Sequence, residues 1–323
     1  MNKKNIDLNA LAFNLKRYSS KMICAMVKAN AYGLGAEIIC PYLNDKVDFF
    51  GVSSLNEAME IKQFVKKPIL IASPVDDLQK CKQFSFHFIV ENFDALTQAE
   101  KLGILDLVHI KIDTGMNRFG FDCEDKKQIK KLKLFLKNKK IAGICTHFYD
   151  LNDKKVTRKQ YLSFKKIKSF LGIDCLIHFG GSSVIDYNFE YDMIRVGLGL
   201  YLNDRQVLRV VSQIKKIKEV MDGTVGYKGG FVVSKPTKIG VIPVGYADGL
   251  SRSFSGCRVV INGKEAKIVG QICMDCFFVD VSKISCSVGD EVEVLVDIRK
   301  IAGYTRLSEY EIMTNFNKLR QQD

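Results

Sequence analysis

The chain has 323 residues, 47% of them hydrophobic and 26% charged, with a formal net charge of +13. That length suits two domains, and the apolar fraction is enough for packed cores. No apolar run approaches the ~20 residues of a membrane-spanning helix, and the start Met1-Asn2-Lys3-Lys4-Asn5-Ile6-Asp7 lacks the apolar segment of a secretory signal, so a cytoplasmic protein is expected.

An amphipathic helix is predicted over 8–20. Eight short apolar runs follow, at 22–27, 47–53, 68–72, 86–90, 106–112, 141–147, 175–179 and 193–200. Helical patterns at 36–43, 55–65, 75–84, 93–102, 126–136, 156–171 and 182–187 separate them. Strands alternating with helices imply parallel strands joined by crossovers, and eight is the count of a (β/α)8 barrel. The lysines of 126–140 and 155–168 are interleaved with Leu, Ile and Phe at helical spacing. They read as solvated helix faces and not as a nucleic-acid surface. Past about residue 205 the period shortens. Strand-like stretches at 207–220, 224–233, 238–244, 258–261, 265–269, 276–281 and 291–296 are separated by turns such as Asp222-Gly223, Asn262-Gly263 and Gly289-Asp290. A helix over 306–319 closes the pattern. The expected fold class is therefore α/β: a TIM-like (β/α)8 barrel over 1–208, then a mainly antiparallel β domain over 209–323.

Ten cysteines are scattered, several in apolar runs (Cys24, Cys145, Cys175), which suits small buried hydrophobes and not a disulfide framework. Cys273-Met274-Asp275-Cys276 has no second ligand pair at matching spacing, so no metal is expected. The chemistry is expected at the C-terminal ends of the barrel strands. Lys28 ends the first, facing an apolar interior where its ammonium is costly. A lysine with a lowered pKa is a nucleophile toward carbonyls. Residues 111–118 end the fifth strand, Thr146-His147-Phe148 the sixth and 178–183 the seventh, while Arg195-Val196-Gly197-Leu198 lies in the eighth. Gly180-Gly181-Ser182-Ser183 offers backbone N–H groups and hydroxyls just before a helix, as a phosphate requires.

Val27-Lys28-Ala29-Asn30-Ala31-Tyr32-Gly33 resembles the cofactor-attachment motif of alanine racemases, and Lys111-Ile112-Asp113-Thr114-Gly115-Met116-Asn117-Arg118 resembles a second motif of that family. Further matches lie at 225–231, 244–249, 272–275 and 310–314, so the resemblance spans about 6–314. It departs at Leu34, Gly181 and Gln271, where the family usually has His, Asn and Arg. The resemblance implies pyridoxal 5'-phosphate on Lys28. It implies phosphate contacts from Tyr32, Ser182, Gly197, Leu198 and Tyr310, and a ring-nitrogen contact from Arg195, which His147 supports. Arg118 would meet the cofactor's phenolic oxygen and the substrate carboxylate, with Lys111 a carbamylation candidate beside it. Met274 would offer an amide to the substrate, and Tyr246 would narrow the entrance. Tyr227, reaching the site of a partner subunit, would be the second acid–base. The resemblance thus implies a homodimer with shared sites that interconverts L- and D-alanine by two bases, supplying D-alanine for peptidoglycan, with a small amino acid as substrate and neither nucleic acid nor membrane as partner. A racemase of serine or another small amino acid, a non-catalytic barrel holding the same cofactor, and a barrel decarboxylase are the other readings. The last two have no use for the β-domain motifs.

Overall fold

The structure is a computed structural model and describes residues 2–320. The strands, in chain order, are β1 (Lys3–Ile6), β2 (Met22–Met26), β3 (Phe49–Val52), β4 (Ile69–Ile71), β5 (His87–Val90), β6 (Val108–Asp113), β7 (Phe121–Asp122), β8 (Gly143–His147), β9 (Leu176–Gly180) and β10 (Met193–Val196). These are followed by β11 (Leu208–Gln213), β12 (Lys216–Val220), β13 (Gly223–Val225), β14 (Phe231–Val233), β15 (Thr237–Ile242), β16 (Arg258–Ile261), β17 (Lys264–Val269), β18 (Phe277–Asp280) and β19 (Glu291–Glu293).

One compact unit comprises residues 13–31 and 36–200. Its strands run in the order β5-β4-β3-β2-β10-β9-β8-β6, and a β5–β6 pairing closes the ring into eight parallel strands, as expected. Two-residue β7 hangs on the end of β6. The helices around the barrel are set by their caps. In Lys154–Leu171 the Asp153 carboxylate accepts the amides of Lys155 and Val156, and Gly172 at φ 64° ends the helix. Its buried face is Thr157, Gln160, Tyr161, Phe164, Ile167 and Leu171, so the lysines of this segment lie outside, and each fully buried ring such as Phe164 contributes roughly 2–3 kcal/mol.

The barrel interior is more polar than an apolar filling. His109, His178 and Arg195 are at most 5% exposed. Glycines make room for the large groups: a Cβ at Gly143 would strike the His109 ring, one at Gly51 the Met26 sulfur, and one at Gly180 both His147 and Arg195.

The second unit holds 201–320 together with 2–12 and 32–35. The partition is therefore not a single cut at residue 208. Strand β1 pairs antiparallel with β11, and the Lys4 ammonium donates to Gly33 O at 2.9 Å. The unit's main sheet runs β1-β11-β19-β16-β17-β18-β15-β12, antiparallel throughout, with β13 and β14 as a separate hairpin. Two expected elements differ in their limits. The stretch 207–220 breaks at Ile214-Lys215 into β11 and β12, which lie at different places in the sheet. The helix expected over 306–319 begins only at Glu309, where Ser308 starts Glu309–Asn315 through a capping box with Glu311, because left-handed Arg306 (φ 61°) closes a separate helix, Ile298–Thr305, that was not expected. Among the described residues no helix is long and apolar enough to cross a membrane.

Candidate active site

In the barrel unit the side chains expected to form the site lie at the C-terminal strand ends. Lys28 follows β2, whose Cys24 pairs in register with Arg195 of β10. The segment after Lys28 does not enter an ordinary helix. Ala29, Asn30, Ala31 and Tyr32 all have φ between 52° and 57°, a left-handed turn. Outside glycine such a conformation costs roughly 1–2 kcal/mol per residue, so other groups must hold it. The Ala31 amide donates to Val27 O (2.8 Å), and the Asn30 carboxamide accepts the Ala36 amide (2.7 Å). The Glu57 carboxylate accepts the Ala29 amide (2.7 Å) with one oxygen and the Ser53 amide (2.7 Å) and hydroxyl (2.9 Å) with the other. Glu57 was not among the expected site residues. Its spacing from Ser54 reads as a capping box, yet its carboxylate bonds Ser53, one residue before the cap, and reaches beyond its own helix to the lysine turn.

Burial lowers the Lys28 pKa, Arg118 and Arg195 push it down further, and Glu57 pulls it up. Lys111 is 4% exposed, its pKa lowered chiefly by burial; its ammonium and the Arg118 guanidinium both lie over the Phe119 ring, at 5.4 and 5.9 Å. The loop carrying Arg118 is tied down by Asp113, whose carboxylate accepts the amides of Gly115, Met116, Asn117 and Arg118. Among the described residues none of Lys28, Lys111, Arg118 and Arg195 forms an ion pair with a carboxylate. A strand-end cluster of four unpaired cations suits an anionic ligand.

The Arg195 guanidinium donates to His178 Nδ1 and to Thr146 O (2.9 Å). The support expected from His147 thus comes instead from His178 and the Thr146 carbonyl. The His147 ring lies across Gly180 from Arg195, and burial, reinforced by Arg195, lowers its pKa to about 3. Thr146 in turn bonds Thr114 (2.9 Å) and Ile112 O (2.8 Å), linking β8 to β6.

Ser182 Oγ accepts the Gly199 amide at 3.0 Å, which brings the Gly180–Ser183 loop against the turn that carries Gly197 and Leu198. Gly181 has φ 114°, and Leu151 occupies the space a Cβ would need there (2.5 Å). That accounts for glycine where an asparagine was expected.

In the other unit, Tyr32 lies near Tyr201 and Tyr310, with ring centroids 5.1 and 5.9 Å apart. Tyr246 and Met274 are joined through backbone bonds, Tyr246 N to Cys273 O and Ala247 N to Met274 O. Arg320 donates to the buried Asp248 and to Asp275, one residue from each loop. Tyr227 opens a tight turn and is 66% exposed; Tyr246, Met274 and Tyr310 are also exposed. The turn of Tyr227 lies against Gln271, which accepts a bond from Arg252 at 3.0 Å.

Residues 6–204 match the sequence profile of the alanine racemase N-terminal domain, and residues 207–322 that of the C-terminal domain. The alanine racemase of Thermodesulfovibrio yellowstonii is 34% identical over 96% of this chain and 94% of its own length, and that of Borreliella burgdorferi 31% identical over 97% and 94%. Among solved structures, alanine racemase from E. faecalis superposes with a TM-score of 0.89 at 28% identity, covering 98% of this chain and 96% of that one. The Bartonella henselae enzyme with covalently bound pyridoxal phosphate does so with a TM-score of 0.88 at 27% identity, covering 98% and 97%. With both domains matched along nearly the whole chain, and a barrel and antiparallel sheet of the same architecture, this chain belongs to the alanine racemase family.

Proposed function

We propose that this enzyme interconverts L- and D-alanine with pyridoxal 5'-phosphate held on Lys28. The observation that carries the reading is Lys28 itself: an amine with a lowered pKa, at a barrel strand end, among cations that lack carboxylate partners. The residues present fit that group. A lysine whose pKa is lowered engages an aldehyde more readily, cations without carboxylate partners suit an anionic ligand such as the substrate carboxylate, and Gly180, by lacking a side chain, lets Arg195 and His147 pack side by side at the strand ends. When bound, pyridoxal phosphate captures the substrate amine and makes the Cα proton acidic by conjugation.

The rest falls to this chain's side chains. Ser182, the amides of Gly197 and Leu198, and the hydroxyls of Tyr32 and Tyr310 are the proposed phosphate donors. Arg195 would meet the ring nitrogen and, having donors only, could not surrender a proton to it. Arg118 and the Met274 amide would bind the substrate carboxylate, and Lys111 is the carbamylation candidate, since burial makes its amine easier to deprotonate. Lys28 would take or give the Cα proton on one face. On the opposite face the partner subunit's Tyr227 would do so, and the high exposure of this tyrosine suits a residue that serves a second copy. A homodimer with shared sites follows, with small amino acids as substrates, Tyr246 restricting their entry, and D-alanine for peptidoglycan as the product's use.

The test is racemisation of L-alanine and L-serine by the purified enzyme loaded with pyridoxal phosphate, resolved by chiral chromatography. Conversion of alanine in both directions, with serine slower, is expected. No racemisation of any small amino acid would refute the reading.

A further inference from the structure

The chain has four histidines, and three of them form one continuous file through the barrel interior. His178 Nε2 lies 2.8 Å from His109 Nδ1, and His109 Nε2 lies 3.0 Å from His87 Nδ1. The file spans β9, β6 and β5, and its inner end is the Arg195 guanidinium on His178 Nδ1. Two members, His109 and His178, are fully buried, and Phe49 packs edge-on against both His87 and His109.

Hydrogen-bond bookkeeping leaves the file one arrangement. An arginine has donors only, so His178 Nδ1 must accept. A neutral imidazole that accepts at Nδ1 carries its proton on Nε2, and His178 therefore donates to His109 Nδ1. The same reasoning moves one rung on: His109 accepts at Nδ1 and donates from Nε2 to His87 Nδ1. Every proton points away from Arg195. An extra proton on any rung would put two donors face to face somewhere along the file, so each member is held neutral as well as oriented. Burial lowers the proton affinity of all three rings, with Arg195 and the neighbouring rings adding to it at the two inner ones.

We propose that His109 and His87 are positioning residues for the racemase reaction: as a one-way chain of neutral Nε2–H imidazoles they fix the tautomer and plane of His178 and thereby aim the Arg195 guanidinium at the reacting site. The proposal rests on the racemase reading for its functional half and on geometry for its structural half, and the two fail separately. Without His109, His178 has no acceptor for its Nε2 proton, is free to turn or change tautomer, and presents an N–H to Arg195 in part of the population. The file reaches the proposed site only through Arg195, so the effect falls on turnover more than on substrate binding.

The experiment uses full-length enzyme labelled with [15N]histidine, which gives only four imidazoles to assign. Long-range 1H–15N correlation near neutral pH reports which nitrogen of each ring bears the proton. The expected result, in the enzyme free of or bound to pyridoxal phosphate, is the Nε2–H tautomer for His87, His109 and His178. A dominant Nδ1–H or a doubly protonated ring in any of the three overturns the proposal, whether or not the enzyme racemises alanine. In His109→Leu the His178 signals should shift and broaden, and kcat should fall by ~10–100-fold, the range for outer partners that orient a functional group, with KM nearly unchanged. His109→Gln keeps an acceptor and a donor and should recover most of both. A folded His109→Leu with unaltered His178 signals and unaltered kcat overturns the proposal. Should that variant not fold, the wild-type tautomers and the same comparison made with His87→Leu decide in its place. If the tautomers are as expected but no small amino acid is racemised, the racemase reading is at fault and not the chain of imidazoles.

Discussion

The grip of Glu57 on the left-handed turn can be put to a quantitative test. Four non-glycine residues at φ 52–57° cost about 4–8 kcal/mol in total if nothing compensates. Glu57 supplies three charge-assisted hydrogen bonds, to the Ala29 amide and to the amide and hydroxyl of Ser53. Such bonds contribute about 1.5–3 kcal/mol each when sheltered. Because the Ala29 contact faces solvent and the two Ser53 contacts are only half-buried, screening brings each down to about 1 kcal/mol, and Glu57→Ala should ease local opening of the turn by about 3 kcal/mol. Native-state hydrogen exchange at the Ala29 and Ser53 amides should accelerate about a hundredfold while exchange in the outer helices is unchanged. Glu57→Gln keeps the size but loses the charge, and it removes an influence that raises the Lys28 pKa. The pH profile for Lys28 modification by an amine-reactive reagent, followed by mass spectrometry, should therefore move to lower pH. If exchange at Ala29 stays within about threefold of wild type in Glu57→Ala, or the Lys28 profile moves upward in Glu57→Gln, the clamp is not made as described.

Lys28→Ala should abolish the borohydride-reducible adduct with pyridoxal phosphate, which mass spectrometry reads directly; an adduct retained by the variant would place the cofactor elsewhere. Tyr227→Phe should fold and bind cofactor yet lose roughly 10²–10⁴-fold in racemisation. Mixing it with Lys28→Ala under subunit exchange should restore part of the activity if each site draws on two chains, whereas a mixture that remains inactive after proven exchange rules out sharing. His147 has a folded pKa of about 3 against 6.5 in the unfolded chain, so the unfolded state binds the extra proton and stability must fall with pH below 6.5. Between pH 7 and 5 that loss is about 2 kcal/mol in urea unfolding, and His147→Gln should show a correspondingly flatter dependence. Arg320→Met should raise the alanine KM by loosening the Tyr246 and Met274 loops through Asp248 and Asp275, while exchange of barrel amides stays as in wild type.

Much of this architecture is legible in the sequence because barrel strands are short apolar runs between amphipathic segments, and all eight appear within a few residues of their expected limits. Strand β1 was not expected. Lys3-Lys4-Asn5-Ile6 has no apolar run, and it becomes a strand through its pairing with β11, some 200 residues away. The left-handed turn was equally hidden, since Ala29 and Ala31 are good formers of the right-handed helix and only long-range bonds, notably those of Glu57, select the other hand. The gathering of Lys28, Lys111, Arg118 and Arg195 near the strand ends could be read from position. The partners of Arg195 could not, because the file from His178 to His109 to His87 joins residues 69 and 22 apart in the chain.

The strand glycines inside the barrel bear on how such an interior can change over generations. At Gly143 a single added carbon meets the His109 ring, and at Gly180 it meets both His147 and Arg195. Bulk on one strand is matched by its lack on the next, so these positions form reciprocal pairs and not independent sites. Substituting either member alone meets overlap on one side or a void on the other, and both are destabilising. Variation in the barrel lining should therefore arrive as compensated double replacements where side chains alone fill the space: a side chain at 51 becomes admissible once Met26 has shrunk, whereas at 143 the Leu176 carbonyl (2.8 Å) stands in the way whatever occupies 109. Pairwise libraries at 26 and 51 would find functional combinations that neither position yields when varied singly.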